Sequence, residues 1–198
     1  ISIHGESMAR PRKFEEDRAL DAAMRAFWAD GYEATSTQEL CEATGLGRSS
    51  IYNTFRSKRD LFEKALSRYM DTRTARMIEV LEDGGRPVRE RLRTILEWTV
   101  EPEPDDPVGC LVVNTMVELA PRDPEIAERL ARDERRRLSA LRAAVQDGIR
   151  TGEIDRGKDP LAIAHFLVAT ISGMRVVARG GADRRTLSSI ADTAMDAV

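Results

Sequence analysis

The sequence predicts an all-α protein, and three observations lead there. Strong helix formers dominate most windows, so helix is the low-cost backbone choice. Apolar residues recur at spacings of three and four, the period of one helical face, and no stretch reads as a strand meander. Glycine and proline fall mostly between these periodic segments, as in Gly45-Leu46-Gly47, Asp83-Gly84-Gly85-Arg86-Pro87 and Gly180-Gly181.

In chain order, ISIHGES (1–7) fits nothing downstream and Met8 resembles a natural start, so 1–9 is expected to be a tag remnant and disordered start. ARPRK (9–13) reads as a short basic arm able to seek a phosphate or a minor groove. Helix 1 is expected over 14–30, with Leu20, Ala23, Met24, Phe27 and Trp28 as its stripe and Gly31 as its stop. Tyr32 is expected to pack back on the same small bundle.

Two short helices follow. Ser36 with Glu39 three residues on is a capping box that opens the first. Gly45-Leu46-Gly47 breaks it, since glycine tolerates the left-handed conformation of a tight turn. The second starts at Arg48 or Ser49, with Ile51 and Phe55 four apart on its inner face. Arg48, Ser49, Ser50, Tyr52, Asn53 and Thr54 then fall on its outer face. Two short helices joined by such a turn form a helix-turn-helix, and that polar face suits base edges and phosphates.

A long helix over about 60–82 comes next, with Leu61, Phe62, Ala65, Leu66 and Tyr69 inward. A helix at 88–101 presents Leu92, Ile95, Leu96 and Thr99. EPEPDDP (101–107), with three prolines and four acids, is an exposed loop. A helix at 108–120 is apolar almost all round. The helix at 124–150 carries Arg132, Asp133, Arg135, Arg136 and Arg137 on what is expected to be a solvated face. Asp159-Pro160 opens a helix at 160–179 that is apolar on nearly every side, so something must cover it. One small domain has too few helices to do so. A second copy, pairing 160–179 and 184–198 about a two-fold axis into a four-helix bundle, supplies the cover.

Charge and composition narrow the function. The net charge is −3, and residues 8–60 hold nine basic against nine acidic side chains, so attraction to nucleic acid has to be local, from 10–13 and 56–59. Cys41 and Cys110 read as reduced, buried small hydrophobes of a cytoplasmic protein. The longest nearly apolar run, 160–174, is shorter than the ~20 residues of a membrane span, so a soluble protein with no membrane partner is expected. No metal, no cofactor and no catalytic residue are expected: the two histidines are His4 and His165, and HExxH, paired glutamate–histidine helix motifs and phosphate loops are absent. A helical binding protein that does not bind DNA is the rival reading, and the polar face over 48–54 speaks against it.

With these residues laid out, the chain resembles the TetR (tetracycline-repressor-like) family of bacterial transcriptional regulators. FWADGYEATST followed by QELCEATGLGRSSIYNTFRSKRDLF carries the resemblance, above all I-Y-x-x-F and then S-K-x-x-L-F. DPVGCLVVNT, GEID…DPLAIAHFL and GMRVVARGGAD match more loosely, and together these stretches span most of 10–198. The resemblance implies a nine-helix, two-domain dimer: a DNA-binding domain at 10–59, and a domain at 60–198 holding the dimer interface and an inducer pocket. It implies a palindromic double-stranded operator and a small-molecule inducer as partners, with repression or, within the same family, activation.

By position, it places DNA contacts at Thr37 and Gln38, at Arg48, Ser49, Ser50, Tyr52, Asn53 and Thr54, and at Lys58, the lysine that meets a phosphate. Arg48 suits guanine and Asn53 adenine, while Tyr52 and Lys58 set the register on the backbone. Gly47-Arg48 departs from the family's more usual serine-lysine pair, so the operator sequence does not carry over. A ligand pocket needs an apolar cavity with a few polar groups, and Trp98, Cys110, Asn114, Met116, His165, Phe166 and Met174 are the expected lining.

Overall fold

A computed structural model describes residues 9–198, with side chains from Glu15 onward. The described residues form nine α-helices: α1 Ala9–Asp30, α2 Thr37–Thr44, α3 Arg48–Phe55, α4 Lys58–Leu81, α5 Val88–Val100, α6 Leu111–Glu118, α7 Pro124–Thr151, α8 Pro160–Arg179 and α9 Arg184–Ala197. The expectation for residues 1–7 lies outside the described residues. The basic arm is corrected: its backbone continues α1, which begins at Ala9 rather than at 14.

The chain divides into two compact units, and the division falls at Tyr69–Met70, inside α4. The reason lies in the first unit's core. Leu61, Phe62, Ala65, Leu66 and Tyr69 of α4 are buried with Ala19, Ala23, Phe27 and Trp28 of α1. Phe27 meets Phe62 edge-on at 5.1 Å between ring centres, and Trp28 meets Tyr69 at 4.9 Å. Such edge-to-face pairs add about 0.5–1.5 kcal/mol beyond the area they bury. Arg68 ties the same helices at the surface, reaching Asp17 at 3.0 Å and Asp21 at 2.6 Å. The stripe of α1 is rotated from expectation: Ala19 joins it, while Leu20 and Met24 are only half-buried.

In the second unit, α7 packs along α8 and α5 along α9. Their core includes Val88, Leu92, Leu96, Leu141, Val145, Leu167, Ile171, Met174, Leu187 and Met195, together with Met77 and Leu81 from the end of α4. Buried Arg91 closes that end. It donates to the carbonyls of Leu81 and Arg86, both at 2.9 Å, and to Asp147 at 3.1 Å.

Three expectations are corrected in this unit. The helix expected at 108–120 spans only Leu111–Glu118, because Gly109 has φ 106 and Cys110 is the extended residue before the helix. Asp133 is not on a solvated face: it is 4% exposed, accepts a hydrogen bond from Thr74 Oγ1 at 2.7 Å and pairs with Arg137 at 3.1 Å. The spacing 126, 130, 133 places it on the inner stripe with Ile126 and Leu130. The third is the length argument built on 160–174: α8 has its expected span, Pro160–Arg179, and its 20 residues are long and apolar enough by length and composition to cross a membrane.

Candidate nucleic-acid interface

The helix-turn-helix is assembled by local rules. Ser36 is extended, with φ −79 and ψ 162, and its hydroxyl accepts from the Glu39 amide at 3.2 Å. The Glu39 carboxylate accepts from the Ser36 amide at 2.6 Å, which closes the capping box. That amide, and then the Ser36 hydroxyl, hold the Glu39 carboxyl below the usual glutamate range. The remaining first-turn amides of α2, at Thr37 and Gln38, have no intrahelical acceptor and favour an anion. Gly45 ends α2 in the left-handed region, φ 70, with its amide on the Cys41 carbonyl. Gly47 then opens α3.

Burial divides α3 in two. Ile51 and Phe55 are 1% and 0% exposed, while Arg48, Ser49, Ser50 and Asn53 are exposed and Tyr52 and Thr54 half-buried. The apolar side holds the helix to the core and leaves the polar side facing out. Several of these groups are already positioned. The Tyr52 hydroxyl and Thr37 Oγ1 lie 3.0 Å apart, a hydrogen bond that joins α3 to the start of α2. The Arg48 guanidinium lies 5.9 Å from the Tyr52 ring centre, within cation–π range. Exposed Gln38 donates to Glu42 at 3.1 Å. The Lys58 ammonium stands 4.5 Å above the centre of the Tyr32 ring and 3.5 Å from the Glu33 carbonyl oxygen. Tyr32 lies 4.8 Å from Phe62 between ring centres. Its packing role was anticipated; its role as a platform for Lys58 was not. The cue was available in chain order: an aromatic just after α1 and a lysine opening α4.

The residues expected to line an inducer pocket fall in different surroundings, with Trp98 packed against the core cluster that holds Met174. His165, Phe166 and Met116 are exposed, because each lies on a helix face turned away from its own unit's core. Met174 is 1% exposed and is core. Cys110 is buried, with Arg175 Nη1 at 3.0 Å from its sulfur, and Asn114 is half-buried. Cys41 is half-buried rather than buried. Trp98 borders an open crevice of about 430 Å³ with Arg76, Val80, Arg86 and Thr94, and Arg76 stacks 4.5 Å from its ring centre.

Two family models match the chain: the bacterial regulatory proteins of the tetR family over residues 19–65, and the tetracyclin repressor-like C-terminal domain over 87–194. The HTH-type transcriptional repressor ComR of Escherichia coli is 34% identical over 192 residues, covering 96% of this chain and 91% of ComR. The chain belongs to the TetR family. The uncharacterised regulator YezE of Bacillus subtilis is 30% identical, with 95% of this chain and 98% of YezE covered. Among solved structures, a cysteine mutant of the TetR-family regulator CifR in complex with a 26-base-pair operator has a TM-score of 0.80 and 28% identity, with 98% of both chains covered. This TetR-family protein is thus a helix-turn-helix transcriptional regulator and not an enzyme. The first matched segment contains all nine residues named above as DNA contacts, Thr37 to Lys58.

Proposed function

We propose that this regulator is a homodimeric repressor that binds a palindromic operator through its two α3 helices and leaves it when a small molecule occupies the second unit. The two-faced α3 carries this reading: Ile51 and Phe55 are sealed inside while Arg48, Ser49, Ser50 and Asn53 stand outside. The arginine fork suits guanine in the major groove and the asparagine amide suits adenine. Lys58 and the α2 N-terminus suit backbone phosphates on either side of the base contacts. CifR's complex with double-stranded operator DNA supports the same partner here.

A dimer is supported by α8. Leu161, Phe166, Val176 and Val177 are 39–54% exposed on it, and a second copy is the covering that an apolar helix face needs. Burying the uncovered half of each is worth roughly 1 kcal/mol per side chain. Two-fold symmetry then sets the α3 helices for half-sites ~34–36 Å apart. An inducer acts only through its differential affinity for the two spacings of that dimer.

The test is a mobility shift with duplex from the region upstream of the gene, at moderate salt. A specific shift is expected, and none would end the proposal. Arg48→Ala should erase sequence preference, costing ~1–3 kcal/mol on the operator and little on random duplex. Lys58→Ala should weaken both about equally and lower the salt slope by about one. Equal behaviour of the two variants would show that base and phosphate contacts are not divided this way.

A further inference from the structure

The outer face of α9 carries its charges in an order that opposes the helix itself. Arg184 and Arg185 stand in its first turn, Asp192 and Asp196 toward its end. A helix N-terminus favours anions and a C-terminus cations, so all four are misplaced for an isolated helix. Two are matched within the protomer: Arg184 pairs with Glu101, and Arg93 reaches Asp192 at 2.8 Å. Arg185 and Asp196 are exposed and have no ion pair within 4 Å among the described residues, although Asp196 feels the charge of Arg93 at longer range. They end a stripe running through Ser189 and Asp192, opposite buried Leu187, Ala191, Ala194 and Met195. Ser188 and Thr193 flank that stripe, and together these side chains form an open polar face of α9.

We propose that α9 of a second copy lies antiparallel along this face, with Arg185 of each protomer against Asp196 of the partner subunit. The assignment rests on the reading of a dimer through α8 and α9, and adds its register. One two-fold axis, passing between Ile190 and Ala191, satisfies every polar position of the stripe together. It sets Arg185 opposite Asp196 of the partner subunit, Ser189 opposite Asp192 of the partner subunit, and Ser188 opposite Thr193 of the partner subunit. Each pair joins a cation to an anion, a hydroxyl to a carboxylate, or two hydroxyls. Serine and threonine at the centre let the helix axes approach closely. An antiparallel neighbour also brings carboxylates to each α9 N-terminus and guanidinium groups to each C-terminus, which repairs the misplaced charges. A parallel copy would set Arg185 against Arg185 of the partner subunit.

Sedimentation equilibrium at low salt tests the register. Arg185→Glu and Asp196→Arg should each raise the dimer dissociation constant about tenfold or more, since attraction at both symmetric ends becomes repulsion. Mixed in equal amounts, the two variants should recover the wild-type constant as a heterodimer, because both cross-pairs are then opposite in sign. That recovery rules out misfolding as the cause of the single defects. Half-molar salt should shrink the single-variant effects. Single variants that dimerise like the wild type, or a mixture no tighter than its components, would overturn the register. A wild type that stays monomeric at every concentration would remove the dimer reading, and the register with it.

Discussion

Lys58 shows how much of this site's preparation is done by single neighbours. A lysine side chain has a large rotamer freedom to lose when it is ordered. Here the Tyr32 ring at 4.5 Å and the Glu33 carbonyl confine it ahead of the phosphate contact proposed for it. Tyr32→Leu should therefore weaken binding to random-sequence duplex nearly as much as Lys58→Ala, while Tyr32→Phe keeps the ring and the affinity. The double variant Tyr32→Leu, Lys58→Ala should be no weaker than Lys58→Ala alone in fluorescence anisotropy. Additive losses would mean that Tyr32 acts on something other than the lysine. Arg91 is the structural counterpart in the second unit, a buried guanidinium whose hydrogen bonds go to two carbonyls and a carboxylate. Arg91→Met strands those acceptors and should cost about 2–4 kcal/mol, read as a lower urea midpoint with unchanged slope.

At the scale of the element, caps and breaks decide where helices stop, and packing decides what they tolerate. The α2 capping box and the left-handed Gly45 are local devices, and both follow from residues within four positions of one another. Gly148 in α7 is different. Helix propensity alone favours Gly148→Ala by ~1 kcal/mol. An added Cβ would lie 2.7 Å and 2.9 Å from Ile154 Cδ1 and Cγ1 and 3.1 Å from Val88 Cγ1, and overpacking of that kind costs typically 1–3 kcal/mol. Crowding on two sides should win, so Gly148→Ala is expected to lower the thermal midpoint by a few degrees. A raised midpoint would show that Ile154 can move aside cheaply.

For the whole molecule, acid should loosen the fold. Glu39 is held below its usual range by the Ser36 amide, Asp83 by Arg86, Asp147 by Arg150 and then Arg91, and Asp183 by the Thr186 amide. A carboxyl whose folded pKa is depressed binds fewer protons folded than unfolded. Its contribution is whole above the unfolded value, near 4, and is lost as pH falls through the folded value. The urea midpoint should therefore stay flat between pH 6 and 8 and fall between about pH 4 and 3. A midpoint that holds or rises at pH 3 would contradict the direction of these shifts.

The helices, their caps and the two faces of α3 were legible in the chain alone, because each depends on residues three or four apart. Even Asp133 was legible in part, since its spacing from Ile126 and Leu130 put it on the inner stripe. Its partner Thr74, the three acceptors of Arg91 and the ring beneath Lys58 came only with tertiary structure, each set by elements that meet through folding rather than by spacing. The same holds for the expected pocket. Polar and apolar positions along a helix show that it has faces, and only its neighbours decide which face is covered. That is why Met174 became core while His165 and Phe166, between two and three turns away on α8, were left outside.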